Sequence, residues 1–349
     1  MDALSDVLRA VRLSGAFFFD VHARAPWVAE TPLGRSVVDA MFPGSDHLIS
    51  YHLLIEGDCW VEIEDEQPVK LNAGDIVVLP HGDTHVLTTE LGLRKSPQMS
   101  MYRRPESGGV LPSRIQMGTE NGPVANFVCG FLGCDSRPYN PLLTALPRVI
   151  HVPNQASGAL GEYFKFALAE SRNRMGGECM LGRISELMFV DVVRRHLESL
   201  PADRNNWLSG LRDAYVGRAL MALHADPARD WTLEALAAEA ALSRSAFAER
   251  FTHFVGQPPM QYLANWRMQL ATNYLRSGNE SVASIANRVG YDSEAAFSRA
   301  FKKVLGTPPS EWRVQRRNGD MPHLPEATTS NVPRGPQMRH VPISSPKQN

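Results

Sequence analysis

The sequence predicts an α+β chain of two domains: a front half of short β-strands forming a sandwich or barrel, backed by a helical hairpin, and then an all-helical domain. Three observations lead there. Short apolar runs broken by glycine and proline fill residues 15 to 135, helical spacing takes over from about 158, and one stretch of the helical half occurs twice. At 349 residues the chain has room for two domains of roughly 150 each.

Residues 1 to 13 place Leu4, Val7, Leu8 and Val11 at helical spacing, so an amphipathic helix opens the chain. The strand candidates are FFFDV at 17–21, ISYHLLI at 49–55, CWVEI at 59–63, DIVVLP at 75–80 and ANFVCGFL at 125–132. In the second of these, Ile49, Tyr51, Leu53 and Ile55 alternate with Ser50, His52 and Leu54, which puts one face toward a second layer or an enclosed pocket and gives His52 the face of Ser50. The proline-containing segment 138–153 breaks the strand rhythm. From about 158 to 200 two helices follow, separated by Gly176 and Gly177. The second carries Leu181, Ile184, Leu187, Met188 and Val192 on one stripe, leaving an apolar face for a twin subunit. Pro201 ends the hairpin, and helices resume near Leu208 and continue to about Arg317. The tail 318–349, rich in Pro, Ser, Thr and Asn, reads as disordered.

Composition narrows the function classes. Apolar residues at 43% exclude wholesale disorder, and a net charge of −1 excludes a chain that is basic throughout, so any nucleic-acid surface is local. Four sparse cysteines, Cys59, Cys129, Cys134 and Cys179, suit reduced thiols rather than a disulfide framework. The start, with Asp2 and Asp6, is not a signal peptide, and no run of about 18 apolar residues occurs, so the expectation is a cytoplasmic protein that does not enter a membrane.

The repeat carries the functional reading. SRSAFAERFTHFVGQPP at 243–259 matches SEAAFSRAFKKVLGTPP at 293–309, so that Ser243, Phe247, Phe251, Gly256, Pro258 and Pro259 recur fifty residues later. Each copy follows a short helix with an apolar face and a tight turn, and each begins with a Ser that can cap the helix. Short helix, turn, capped helix is the helix-turn-helix arrangement, with Ala237 and Ala286 allowing close packing and Gly290 supplying a turn position. Phe247, Phe251 and Phe254, and Phe297, Phe301 and Val304, face inward. The opposite faces present Arg244, Ser245, Ala248, Glu249 and Thr252, and Glu294, Ala295, Ser298, Arg299 and Lys302. A major groove accepts such a face, because small residues permit close approach, Arg pairs guanine and Lys meets phosphate. Residues 208–317 hold fourteen Lys and Arg against ten Asp and Glu, a local +4 that leaves −5 for the remainder. The long run 259–277 between the copies reads as one helix, a rigid spacer that would set two reading helices about one DNA turn, roughly 34 Å, apart.

These residues, above all WRMQLATNYL and IANRVGYDSEAAFSRAFKKVLGTPPSEWR, closely resemble the DNA-binding region of the AraC/XylS family of transcriptional regulators over about 213–317. The resemblance implies base-reading roles for Arg244, Ser245, Ala248, Glu249, Glu294, Ala295, Ser298, Arg299 and Lys302. Glu249 departs from the basic residue often found at its position, which points to cytosine contact or phosphate avoidance. AGDIVVLPHGDTH, YHLLIEGDCWVEI and VCGF resemble the cupin-type sensor domain of one branch of that family and imply a cupin-like β-barrel over about 15–135. Cupin enzymes usually hold a metal on two His and a Glu of the first motif and one His of the second. Here Gly44, Asp46 and Ser50 stand at the first three positions, leaving His52, His85 and Asp46 as weak metal candidates. The preferred reading is a small organic effector touching His52 and His85, with no metal cofactor.

The expected protein is therefore a transcriptional regulator rather than an enzyme, and an activator on the resemblance. A cupin-like sensor and dimerisation domain occupies 1–200 (barrel 15–135, hairpin 158–200), a double helix-turn-helix domain 208–317 and a disordered tail 318–349. Its expected partners are double-stranded promoter DNA, RNA polymerase, a second copy of itself and a small-molecule effector. Redox sensing through Cys129 and Cys134, or a metal-binding cupin joined to a DNA-binding module, are the alternatives.

Overall fold

The computed structural model describes residues 2–102, 113–153, 162, 175–201 and 204–317. The first hairpin helix expected from about 158 and the tail 318–349 lie outside the described residues, apart from the isolated residue Glu162. The chain opens with helix α1 (Ala3–Ala10), capped by Asp2, whose carboxylate accepts the Ser5 N–H. Strands β1 (Ser14–Arg24) and β2 (Val28–Thr31) and the short helix α2 (Val38–Met41) precede β3 (His47–Glu56), β4 (Asp58–Ile63), β5 (Val69–Asn72), β6 (Ile76–Leu79) and β7 (His85–Thr88). After β8 (Ser113–Gly118) and β9 (Val124–Cys134) come α3 (Pro141–Ala145), β10 (Ile150–Val152) and the long helix α4 (Gly177–Ser199).

Among the described residues the strands form two sheets. A six-stranded mixed sheet runs in the order β10-β6-β3-β9-β1-β8 and a four-stranded one in the order β2-β7-β4-β5. This corrects the expected closed barrel. Closure requires the end strands of one continuous sheet to pair, whereas β10 and β8 end the first sheet and β2 and β5 the second. Alternation in sequence is the same for a sandwich and a barrel, because it reports two faces and not the pairing of edges.

Both faces of the large sheet are covered. Phe19, Leu48, Leu54, Val77, Phe127 and Phe131 pack toward the small sheet, while Phe18, Ile49, Tyr51, Leu53, Val128 and Leu132 pack toward α1, α3 and α4. The strongly apolar face of β3 thus meets helices, and Ser50 and His52 point into the sandwich. Gly130 makes this possible: it lies opposite Tyr51, and a Cβ there would come within 2.0 Å of the Tyr51 ring. The Tyr51 hydroxyl reaches Ser185 Oγ on α4 at 2.6 Å. On α4 the buried stripe is Leu181, Ser185, Met188, Phe189, Val192 and Val193, whereas Leu187, expected in it, is exposed. One residue per helical step accounts for the difference, since 187 lies a full 100° from 188.

The second half is all helical: α5 (Trp207–Arg212), α6 (Val216–Ala225), α7 (Leu233–Glu239), α8 (Arg244–Val255), α9 (Pro259–Ser277), α10 (Val282–Arg288), α11 (Glu294–Leu305) and α12 (Pro309–Arg317). Helices α5 to α8 and the first part of α9 share one continuous apolar core with α1, α3, α4 and the outer face of the large sheet. The rest of α9 joins α10 to α12 in a separate core. Among the described residues no helix is long and apolar enough to cross a membrane.

Candidate functional site

The two copies of the repeat fold alike. Thr232 and Ser281 cap the seven-residue helices α7 and α10, and Ser243 and Ser293 cap the twelve-residue helices α8 and α11 by accepting the N–H of Ala246 and Ala296. Both long helices end on a left-handed glycine, Gly256 at φ +76° and Gly306 at φ +79°. Between the paired helices, Leu242 N–H donates to Ala237 O and Tyr291 N–H to Ala286 O, across a turn residue of positive φ that is Ala241 in one copy and Gly290 in the other.

Phe247, Phe251 and Phe254 are buried, as are Phe297 and Phe301. Leu305, not Val304, fills the third inward place in the second copy, and Val304 is exposed. On the opposite faces Arg244, Ser245, Glu249, Thr252, Glu294, Ala295, Arg299 and Lys302 are exposed, and Ala248 and Ser298 half-buried. Arg244 is held at 2.6 Å by Glu234 of α7. Lys303, also exposed, extends the basic end of α11. Charge is distributed unequally between the copies: the first presents Arg244 at the amino end of its helix, while the second presents Glu294 there and Arg299, Lys302 and Lys303 further along. Helix α9 enters both cores, with Tyr262, Leu263 and Trp266 in the first and Met268, Ala271 and Leu275 in the second, so it ties the copies together over a length of about 28 Å at 1.5 Å per residue.

The other half contains a cavity of about 180 Å³ inside the sandwich, lined by apolar groups that include Phe19, Val21, Met101, Ile115 and Phe127, with Thr31, Tyr102 and Cys129 among them. Neither His52 nor His85 belongs to that lining. Both are fully buried and form a chain with Cys129. His85 Nδ1–H donates to Asp83 O at 2.8 Å, which leaves its Nε2 to accept His52 Nε2–H at 2.7 Å. His52 Nδ1 therefore accepts the Cys129 S–H, at 2.9 Å. Register places Cys129 directly opposite His52 on β9 and β3, while His85 comes from the other sheet. Every member is neutral: burial lowers His52 far below the ordinary imidazole value and His85 to about 4, and raises the Cys129 thiol.

These residues do not fit a metal. Zinc–nitrogen bonds of about 2.0 Å at a tetrahedral ion hold two nitrogens more than 3 Å apart, and His52 Nε2 and His85 Nε2 are 2.7 Å apart and bonded to each other. Asp46 is engaged elsewhere, accepting from Ser136 N–H at 2.6 Å. Among the described residues no cluster of three His, Cys, Asp or Glu is placed to hold an ion. Cys129 and Cys134 are not brought together: five residues apart on one strand they face opposite sides and stand roughly 17 Å apart, Cys129 toward the sandwich and Cys134 toward the helices.

A seam between the halves was not legible in the sequence. Arg276 Nη1 on α9 meets Asp135 Oδ2 at 2.7 Å just past the end of β9. Gln269 donates to Ala10 O at 3.3 Å and accepts Tyr139 N–H at 3.1 Å, and Asn273 donates to Ala10 O at 2.8 Å. Arg12, Asp135, Arg276 and Arg316 line the cleft there. No motif marks such contacts, because their partners lie more than a hundred residues apart.

Comparison with known proteins accords with both halves. A family model described as Cupin matches residues 2–198, and one described as a helix-turn-helix domain matches residues 236–315. A putative AraC-like transcription regulator of Streptomyces lividans is 34% identical over 322 residues, spanning 90% of this chain and 98% of that protein. Another, from Streptomyces antibioticus, is 32% identical over 319 residues, spanning 90% and 98%. The DNA-binding domain of AdpA, solved in complex with a target DNA, is 31% identical at a TM-score of 0.29, covering 30% of this chain and 95% of that one.

Proposed function

We propose a function from one premise: the chain belongs to the AraC/XylS family of helix-turn-helix, DNA-binding transcriptional regulators and carries a cupin domain in front of its paired reading units. In our reading, residues 1–200 sense and dimerise, residues 208–317 bind promoter DNA, and the protein works in the cytoplasm, where it activates transcription through contact with RNA polymerase. Helices α8 and α11 enter successive major grooves. Arg244 and Arg299 seek guanine, Ser245, Thr252, Ala295 and Ser298 allow close approach, Lys302 meets phosphate, and Glu249 and Glu294 meet cytosine or repel phosphate.

The observation that carries this reading is the exposure of both non-phenylalanine faces on helices locked to one spacer. Replacing Arg244 and Arg299 together by Ala tests it. At about 1–3 kcal/mol per bidentate contact, affinity for the operator falls at least about thirtyfold and preference at two base positions relaxes. An unchanged footprint and affinity overturn the assignment.

The 180 Å³ cavity suits a small apolar effector. Occupancy would act through β9, which carries Cys129 in the cavity wall and leads directly to Asp135 at the seam. Such control requires unequal affinity of the effector for two placements of the DNA-binding half. Dimerisation is supported by the exposed Met180 and Leu187 on α4. Light scattering at micromolar concentration that returns a monomer, with and without DNA, refutes it, and a reporter assay with the chain deleted decides activation against repression.

A further inference from the structure

We propose that the sandwich cavity captures a small soft electrophile, an α,β-unsaturated carbonyl compound, by covalent addition to Cys129. The inference rests on the reading of this cavity as the effector site and names the chemistry of its occupant.

Three features argue for it. First, the Cys129 sulfur stands in the wall of a preformed cavity whose other lining is mainly apolar, and whose 180 Å³ compares with the roughly 150 Å³ that holds a benzene molecule. The occupant is therefore no larger than a substituted benzene. Second, the thiol has a base: His52 Nδ1 accepts its S–H, and the acceptor role of that nitrogen is forced by the chain through His85 to Asp83 O. Burial keeps the resting thiol protonated and His52 neutral, so the proton moves only as the C–S bond forms. Third, Thr31 and Tyr102 belong to the same lining, and their hydroxyls can donate to a carbonyl oxygen.

The step balances. The sulfur bonds the β-carbon as its proton passes to His52 Nδ1. The His52 Nε2 proton can shift to His85, whose Nδ1–H donates to Asp83 O. The C=C electron pair moves to the α-carbon and carbonyl as an enolate, held by Tyr102. The α-carbon then takes the proton back from His52 Nδ1, which stands 2.9 Å from the sulfur, and the histidine pair returns to its resting state. One S–H and one C=C are consumed and one C–S and one C–H are formed, without oxidant or leaving group, and the product is as neutral as the starting thiol. That neutrality suits a site from which charge is excluded by burial.

The test uses the full chain carrying Cys179→Ser, which removes the exposed thiol. Methyl vinyl ketone is the covalent probe and 2-butanone its saturated counterpart. The expected result is a single adduct by intact mass, mapped to Cys129 with Cys59 and Cys134 unmodified, slowed by 2-butanone and about a hundredfold slower in His52→Gln. Should His52→Gln unfold, protection by 2-butanone in the folded chain, and its disappearance in urea, carries the test. Labelling of Cys59 or Cys134 as fast as Cys129, or a Cys129 that stays free, overturns covalent capture. A free Cys129 with a melting temperature raised by 2-butanone leaves a reversible effector cavity standing. An adduct at Cys129 that leaves operator affinity unchanged keeps the chemistry and removes the effector reading.

Discussion

The turn of the second reading unit offers a severe test of the packing argument. Gly290 sits at φ +82°, and a Cβ built there comes within 2.5 Å of Ala228 O and 2.7 Å of Arg267 Nη2. Arg267 cannot yield freely, because its guanidinium donates to Pro227 O at 2.8 Å, to Gly290 O at 3.0 Å and to Arg229 O at 2.9 Å. A left-handed alanine costs about 1–2 kcal/mol, and forcing the contact costs roughly 1–3 more. The reduced freedom of the unfolded chain returns only about 0.5. Gly290→Ala therefore destabilises by about 3 kcal/mol. The loss falls on α10 to α12, whose core is separate from the rest, so urea unfolding of the variant shows an early transition and the DNase footprint shortens on the side read by α11. Ala241 occupies the equivalent turn of the first unit at φ +52°, and there the reverse change, Ala241→Gly, stabilises by about 0.5–1 kcal/mol. A Gly290→Ala protein with the parent's urea profile and footprint refutes the reasoning.

Lys302 is exposed on the face of α11, so Lys302→Ala lowers affinity about equally for all sequences and reduces the slope of log K against log salt by about one. An unchanged slope removes its phosphate contact. Asp135→Asn leaves Arg276, mostly buried at the seam, without its carboxylate. Breaking such a pair costs about 3–5 kcal/mol, seen as a lower urea midpoint, and an unaltered midpoint shows the seam to be dispensable. Stability also falls in mild acid. Burial lowers His85 to about 4 and His224 to about 3, and His52 far below its ordinary value of 6.5. Below about 6.5 the unfolded chain binds protons that the folded chain does not, so each histidine removes about 1.4 kcal/mol per pH unit until its folded value is reached. Urea midpoints that stay flat from pH 7 to pH 5 contradict the neutral, buried assignment.

Much of the reading half was legible in advance, and the reasons are local. A serine caps the helix three residues ahead, a glycine ends it, and phenylalanines four apart share a face, whatever the rest of the chain does. Val304 failed because the third inward place in α11 lies on Leu305, and the helical period alone admits either. In the front half the glycine-punctuated runs marked β1, β3, β4, β6 and β9. The strands β2, β5, β7 and β10 have three or four residues and no apolar run like that of β6, and β8 alternates only Ile115 and Met117 with polar residues.

The sequence by itself determined the two helix-turn-helix units, their caps, the faces turned outward and the helix between them, because each depends on spacing within one or two turns. Only the tertiary structure decided that the sheets remain a sandwich, that the apolar face of β3 meets helices while His52 points inward, and that His52 joins Cys129 to His85. It also decided that the first helix-turn-helix unit shares one core with the cupin domain while the second has a core of its own. Strand alternation defines two faces but not what covers them, and the contacts that settle the matter join residues distant along the chain, where no local pattern records the partner.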